Sequence, residues 1–525
     1  MKKKKVAAAS IALVTAIAIA GCANGASTDA AAKTLVFDTT FDLKTSDPGR
    51  AFELTGQTID KAIYETALTF DKGDLTKPVP QLTTYKLSDD QKTLTLTLTG
   101  THTFSSGNPV TIDDIVFSYQ RLQAIAGNPS FLLTNLSTNT PFTITKTSDT
   151  TLTITTDTPY PALPYILANP SLGVLDSKTL QKHGGTNTKD DASETYLNTT
   201  SAGSGPYQIE SLDVKTKVVL TANPKYAGTK PAYSRVVFQN VLSPSQKTDI
   251  QGGQAQLSVG LNSQQVAGLA SDTIKVLTST SPNVGYLWLN QDPAYSGGIT
   301  NNPQFTAAVR TGIDYSGVLA VAGNGAIQPG GIIPTQFLGA IKPDATNTFD
   351  LAAAKQSLAA SGYSGQTLQI SYPTDFTLDG VEFGTLAQKI QAQLQAVGIK
   401  VELAGLPITT LLQNFRAGKV QAGLMYWGPD FPDPSDYTTF SPGNPVGLRA
   451  GWTADQSPAV TAARKAAEAA VGDARAAAYE TWQREANKAG VFIALLQAPR
   501  NYVTTGGISN VIPNAVWTVD VALIK

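Results

Sequence analysis

One cysteine in 525 residues constrains this chain more than any other feature, because Cys22 stands directly behind a segment built to leave the cytoplasm. Lys2–Lys5 precede the apolar run Val6–Ala20, and Gly21 supplies a small residue just ahead of Cys22. A basic stretch, a short apolar stretch and a small-residue site make a bacterial export signal, and the cysteine after them makes it a lipoprotein signal. Residues 1–21 are therefore expected to be removed, leaving Cys22 to carry acyl chains that hold a body at the outer face of the membrane. The competing reading, a membrane-spanning anchor with an incidental cysteine, needs about 20 apolar residues, and the run is shorter. With its only thiol acylated, the body has no partner for a disulfide.

Residues 22–32 are small and polar after the cysteine, a composition suited to a flexible tether. No later segment reaches spanning length, and the remaining length implies more than one domain. Losing the four lysines of the signal moves the formal charge from −1 to −5, and a mildly acidic body is a poor partner for nucleic acid. Only 15 % of residues are charged, so threonine, serine, asparagine and glutamine must cover most of the surface.

From Lys33 the pattern becomes periodic. Thr93–Thr99 reads TLTLTLT and Thr151–Thr156 reads TLTITT, the alternation of strands with one solvated face or at a sheet edge. Thr111 suits the N-cap of a helix starting at Ile112, with Ile115, Val116, Tyr119 and Leu122 on one face. The second half alternates alanine-rich amphipathic stretches at Leu351–Ala360, Gly384–Val397 and Ala459–Gly490 with short strands at Thr367–Tyr372 and Lys400–Leu403. That alternation predicts an α/β architecture. Glycine and proline clusters at 203–206, 323–334 and 429–434 mark turns or places of close backbone approach.

Several strings then occur in order: Asp47-Pro48, Ala62-Ile63-Tyr64-Glu65, Leu87-Ser88-Asp89-Asp90, Phe104-Ser105-Ser106-Gly107-Asn108-Pro109-Val110-Thr111, Gly203-Ser204-Gly205-Pro206-Tyr207, Asn223-Pro224-Lys225-Tyr226, Ile313-Asp314-Tyr315, Gly330-Gly331-Ile332-Ile333-Pro334, Val397-Gly398-Ile399-Lys400-Val401 and Tyr426-Trp427-Gly428-Pro429-Asp430-Phe431-Pro432-Asp433-Pro434. In them the chain, from about Lys33 to its end, resembles the family 5 solute-binding proteins of ABC importers, a group that includes oligopeptide, dipeptide, nickel and haem binders. The resemblance implies a two-lobed periplasmic-binding-protein-like α/β fold of type II. Lobe I would take 33–64, 200–288 and 500–525, an extra subdomain 65–199, and lobe II 289–499, with a hinge of two crossover segments. Such a protein closes on its ligand and presents a composite surface to the permease subunits in the membrane. It would act as a monomer, without a cofactor.

By the same resemblance, the acid matching Asp430 pairs with a peptide ligand's α-ammonium, while Tyr426, Trp427 and Gly428 offer ring surface and backbone. A carboxylate in a dry cleft suits a desolvated ammonium; alternatively Asp430 braces its own loop. Asp433 and Asp436 are expected to cap the following turn. Phe52, Glu53 and Leu54 stand where the first lobe would line the cleft, as an apolar pocket and a partner for a cation, or form an ordinary surface loop. Tyr286 and Trp288, beside the expected crossover, offer aromatic area to a ligand or belong to the core. Relatives often place an arginine where Thr306 stands here, with Arg310 one turn on, so a ligand carboxylate has no obvious clamp from that motif.

A secreted hydrolase is the rival class. His102 and His183 are the only histidines, neither lies in an HExxH motif, and no GxSxG elbow is present; both histidines read as structural. Direct metal binding is not expected either, because soft and imidazole donors are scarce. A sugar oligomer or a metal chelate remains an alternative ligand to a short peptide, and a peptide-sensing receptor would share the fold.

Overall fold

The computed structural model describes residues 33–135 and 138–525. Cys22, the signal and the tether lie outside the described residues. The frame is one mixed sheet of ten strands, ordered Tyr207–Asp213, Lys217–Ala222, Arg235–Asn240, Thr34–Thr39, Leu257–Val259, Phe492–Thr505, Ile274–Leu289, Ala422–Trp427, Thr367–Pro373 and Lys400–Leu406. Thr34–Thr39 runs parallel to both of its neighbours, as does Thr367–Pro373. The helix Phe383–Val397 packs over Thr367–Pro373 and Lys400–Leu406, and Leu351–Ala360 packs against that helix. An α/β architecture follows, as the alternation of elements requires.

Two long antiparallel strands, Ile274–Leu289 and Phe492–Thr505, join the two parts of the sheet. Thr280 pairs with Pro499 and Val284 with Gln497, so Ser281, Pro282 and Asn283 stand opposite Ala498 alone. A proline inside a ladder removes a donor, and the surplus residues bend the strand and turn side chains out of the regular pleat. The expected lobe boundaries at 288/289 and 499/500 fall inside these two strands.

The apolar interior divides accordingly. One cluster gathers residues between Leu35 and Val259 with Tyr502–Ile524, a second gathers Ala67–Val174 with Phe431, Val516 and Trp517, and two more lie between Val284 and Ala498. Arg121, only 1 % exposed, ties the first two together by donating to Asp47 and Asp191 at 2.6–2.9 Å. A buried guanidinium persists where carboxylates satisfy its fork in this way.

The alternating segments are strands, Thr93–Leu98 and Thr151–Thr155, with Leu94, Leu96, Leu152 and Ile154 fully buried on one face. They are the two inner strands of a four-stranded sheet, so their expected place at an edge is corrected while the solvated face stands. Two flanking strands supply the missing neighbours, which alternation within one strand does not reveal. Thr111 caps the helix Ile112–Ile125, its N–H and hydroxyl donating to Asp114 at 2.9 and 2.6 Å. The stretch Ala459–Gly490 is two helices, Pro458–Ala469 and Ala474–Ala489, because Gly472 between them takes φ +55°.

Candidate functional site

Arg500 stands where the bulged crossover meets both parts of the sheet, and two cavities open on either side of it. The smaller, about 390 Å³, is lined by Leu54, Thr55, Asp379 and Asn262 among others, and the larger, about 650 Å³, by Thr280, Pro282, Gln336, Pro432 and Asp433 among others. Both volumes lie within the range of about 300–1,000 Å³ typical of small-molecule sites.

Buried charges need partners, and Arg500, 6 % exposed, has Asp379: Nε and Nη2 each lie 2.9 Å from Oδ1. Burial, the largest single influence, pulls the guanidinium's pKa down, but the charge and hydrogen bond of Asp379 together with Tyr502 outweigh it and leave the group above its ordinary value. The other oxygen of Asp379 accepts from Ser281 Oγ and from Asn283 Nδ2 at 3.1 Å, both in the bulge. Asp379 and Gly380 form the two-residue tip of a hairpin, with φ +46° and +85°, the Asp-Gly geometry of a type I′ turn.

The segment named from the sequence borders the bulge through Tyr426 and Gly428, but none of Tyr426, Trp427, Gly428 and Asp430 is on the wall of either cavity. Tyr426 stacks on Phe376 with ring centroids 5.0 Å apart, and burial pushes its phenol up to about 12. Trp427 meets Phe440 edge to face at 5.1 Å. A Cβ on Gly428 would run into Asn283 Oδ1, so any side chain there would have to displace Asn283.

Asp430 is pushed up to about 7, first by burial, with Asp436 and Arg449 pulling the other way. Its N–H donates to Asp436 Oδ2 at 2.9 Å and its carbonyl accepts from Asn169 at 2.8 Å. Asp436, fully buried, is raised further by burial and by the Asp430 charge. The two acids thus hold protons at pH values where an exposed aspartate would be ionised. Asp436 Oδ1, Tyr437 Oη and Trp427 Nε1 make no hydrogen bond of normal geometry nearby. Asp433 caps its turn as expected, accepting from Ser435 N–H, and is also gripped by both terminal nitrogens of Arg475 at 2.6 Å. Asp436 does not cap forwards; it braces the loop backwards through Asp430.

Leu54 lines the smaller cavity. Phe52 packs edge to face on Phe131 at 5.2 Å and Glu53 is held by Lys44 at 2.8 Å, and neither is on the wall of either cavity. Tyr286 and Trp288 are corrected to core residues: 1 % and 0 % exposed, they pack against Phe440, Phe492 and Phe415. Alternation turns both inward on one face of the strand. Arg310 donates to the carbonyls of Asn487 and Lys488 at the end of the helix Ala474–Ala489, a favourable place for a cation. His102 bonds Glu65 at 3.0 Å, and His183 stacks on Tyr196 at 3.9 Å.

Sequence reasoning missed Arg500, Asp379, Ser281 and Asn283. Two signals were there: Arg500 is the sole charged residue of the strand Phe492–Thr505, and Asp379-Gly380 sits between short apolar-alternating segments.

Among the described residues no helix is long and apolar enough to cross a membrane. Curated relatives include the probable D,D-dipeptide-binding periplasmic protein DdpA of Escherichia coli K12, 27 % identical over 76 % of this chain and 75 % of that one. The glutathione-binding protein GsiB of Salmonella typhimurium is 26 % identical over 72 % of this chain and 70 % of its own. Among solved structures, CtaP of Listeria monocytogenes superposes with TM-score 0.79 at 18 % identity, covering 94 % of this chain and 99 % of that one. DppA of Helicobacter pylori in complex with the peptide STSA gives 0.75 at 20 % identity, covering 94 % and 97 %. The family model for bacterial extracellular solute-binding proteins, family 5 (middle), matches residues 77–445, and the chain belongs to that family.

Proposed function

We propose that this protein captures a short peptide between two lobes and delivers it to the permease of an ABC importer, acting as a monomer tethered to the membrane by a lipid on Cys22. The lobes we assign are 33–64, 200–288 and 500–525, with the subdomain 65–199, against 289–499. The observation that carries the reading is the junction at the crossover bulge, where cavities large enough for a small ligand meet beside backbone and charged groups of both signs. Binding names among the relatives support a peptide: a D,D-dipeptide, glutathione and di- or tripeptides. A guanidinium and carboxylates close together are groups that suit the two charged ends of a zwitterionic peptide. No covalent step is required of them, and ligand affinity acts as a bias on an open–closed equilibrium.

Calorimetric titration with D-Ala-D-Ala, L-Ala-L-Ala and a set of L-tripeptides tests the reading. Saturable binding of at least one, without turnover, supports it; no heat from any peptide, with a sugar or a metal chelate binding instead, overturns the ligand. For the anchor, Cys22→Ser is expected to release the protein from the membrane fraction into the soluble one.

A further inference from the structure

We propose that Arg500 is the anion clamp of this cleft and that Asp379 is its resident counter-ion, which a ligand's carboxylate displaces. The inference rests on the cleft being the ligand site and deepens that reading by naming the group the ligand must carry.

Among the described residues that line the two cavities, Arg500 is the only cation. It reaches both, whereas Asp379 borders only the smaller one. In the larger cavity the acids are otherwise engaged. Asp433 is held bidentately by Arg475, and Asp74 accepts from the N–H and hydroxyl of Thr76 at its own turn. A guanidinium has five donor hydrogens in a fixed fork. Asp379 engages Nε and Nη2 through a single oxygen, Nη2 also reaches Ser281 Oγ at 3.5 Å, and Tyr502, on the wall of the larger cavity, is the remaining neighbour of the fork. Five donor hydrogens exceed these contacts, so the fork retains capacity toward the larger cavity.

Exchange of partners is feasible because Asp379 would not be stranded. If a ligand carboxylate takes Arg500, Asp379 Oδ2 keeps Ser281 and Asn283, which avoids the cost of a buried charge with no partner. The tip that carries Asp379 is also short. Only Thr377↔Glu382 and Leu378↔Val381 pair beneath it, and Leu378 and Val381 pin that base in the core. The carboxylate can therefore shift while the base of the hairpin stays in place. While Asp379 holds Arg500, only part of the population offers a free clamp, and apparent affinity falls by that fraction.

The test is native mass spectrometry of the full chain in detergent with a pool of di- and tripeptides, offered as free acids and as C-terminal amides. Free acids are expected to be captured over amides. Asp379→Asn is expected to tighten the acids by about 3- to 10-fold, as the competing partner is removed, and to leave amides unchanged. Arg500→Gln is expected to weaken the acids by about 10- to 100-fold, the loss of charge-assisted bonds, and to abolish the discrimination. Equal capture of acids and amides, or an Asp379→Asn protein that folds and binds acids no tighter, overturns the clamp while leaving the peptide reading intact. Should Arg500→Gln fail to fold, Asp379→Asn decides alone. Capture of neither form overturns the peptide reading. Succinate then decides the clamp: binding that Arg500→Gln abolishes keeps it, and no binding overturns it.

Discussion

Burial gives Asp430 a proton affinity unlike that of an exposed aspartate. Burial lifts it to about 7, beside an Asp436 lifted further by burial and by Asp430 itself, with Arg449 pulling Asp430 down and the unpaired Tyr437 hydroxyl nearby. If Asp430 takes a peptide ammonium, it must do so ionised, so under that reading affinity is expected to rise as pH rises through about 7, and binding at pH 6 to release a proton. Calorimetry at pH 6 in two buffers of different ionisation enthalpy reads that proton, and Asp430→Asn should flatten the profile. Stability runs the other way. Both folded pKa values lie above the unfolded ones, so the folded state binds protons more tightly; Asp430's contribution is full below about pH 4 and is lost as pH rises through about 7, and Asp436's, raised by burial and by the Asp430 charge, is likewise lost with rising pH. Denaturation of Asp436→Asn against wild type at pH 5 and pH 8 should show the variant relatively more stable at pH 8. A variant whose advantage does not change between the two would sink the proton-sharing account.

At the scale of elements, the crossover decides what the site can do, and Gly428 is where it can be probed. A methyl group there meets Asn283, which in turn holds Asp379. Gly428→Ala is expected to cost about 1–3 kcal/mol of stability by overpacking and to alter peptide affinity, whereas Gly428→Ala with Asn283→Ala should recover most of the stability. A denaturant titration of the double-mutant cycle measures that coupling. The elements themselves were partly legible. Period-2 runs at Thr93–Leu98 and Thr151–Thr155 and the cap at Thr111 are local signals, and local physics places them. The crossover strand Phe492–Thr505 is buried on both faces for almost its whole length, so it has no alternation to read. The same silence hid the roles of Tyr286 and Trp288. The charged junction was hidden for another reason: Asp379 meets Arg500 from 121 residues away and Ser281 from 98, and no spacing rule spans such separations.

For the whole molecule, the question is how the loop after Trp427 touches the N-terminal part. Phe431 is buried in the cluster built from Ala67–Val174, and Asn169 donates to the Asp430 carbonyl across 261 residues of sequence. If the protein opens to admit a ligand, these contacts are made only in the closed form and bias the equilibrium toward it. A single neutral hydrogen bond of this kind is worth about 1 kcal/mol net, which corresponds to a change of roughly fivefold in the closed population. Asn169→Ala should therefore speed ligand release by about that factor and leave association nearly unchanged. Asn169 also caps the turn Pro170–Leu172 by accepting from Ser171 N–H, so Asn169→Asp keeps the cap acceptor while removing the donor to Asp430, and it should reproduce the faster release with less loss of stability. Stopped-flow fluorescence of bound peptide reads both rates, and small-angle scattering should show the variant more expanded without ligand. Unchanged release in both variants would mean that this contact persists in the open form, and that the loop moves with the N-terminal part rather than with the strand that carries it.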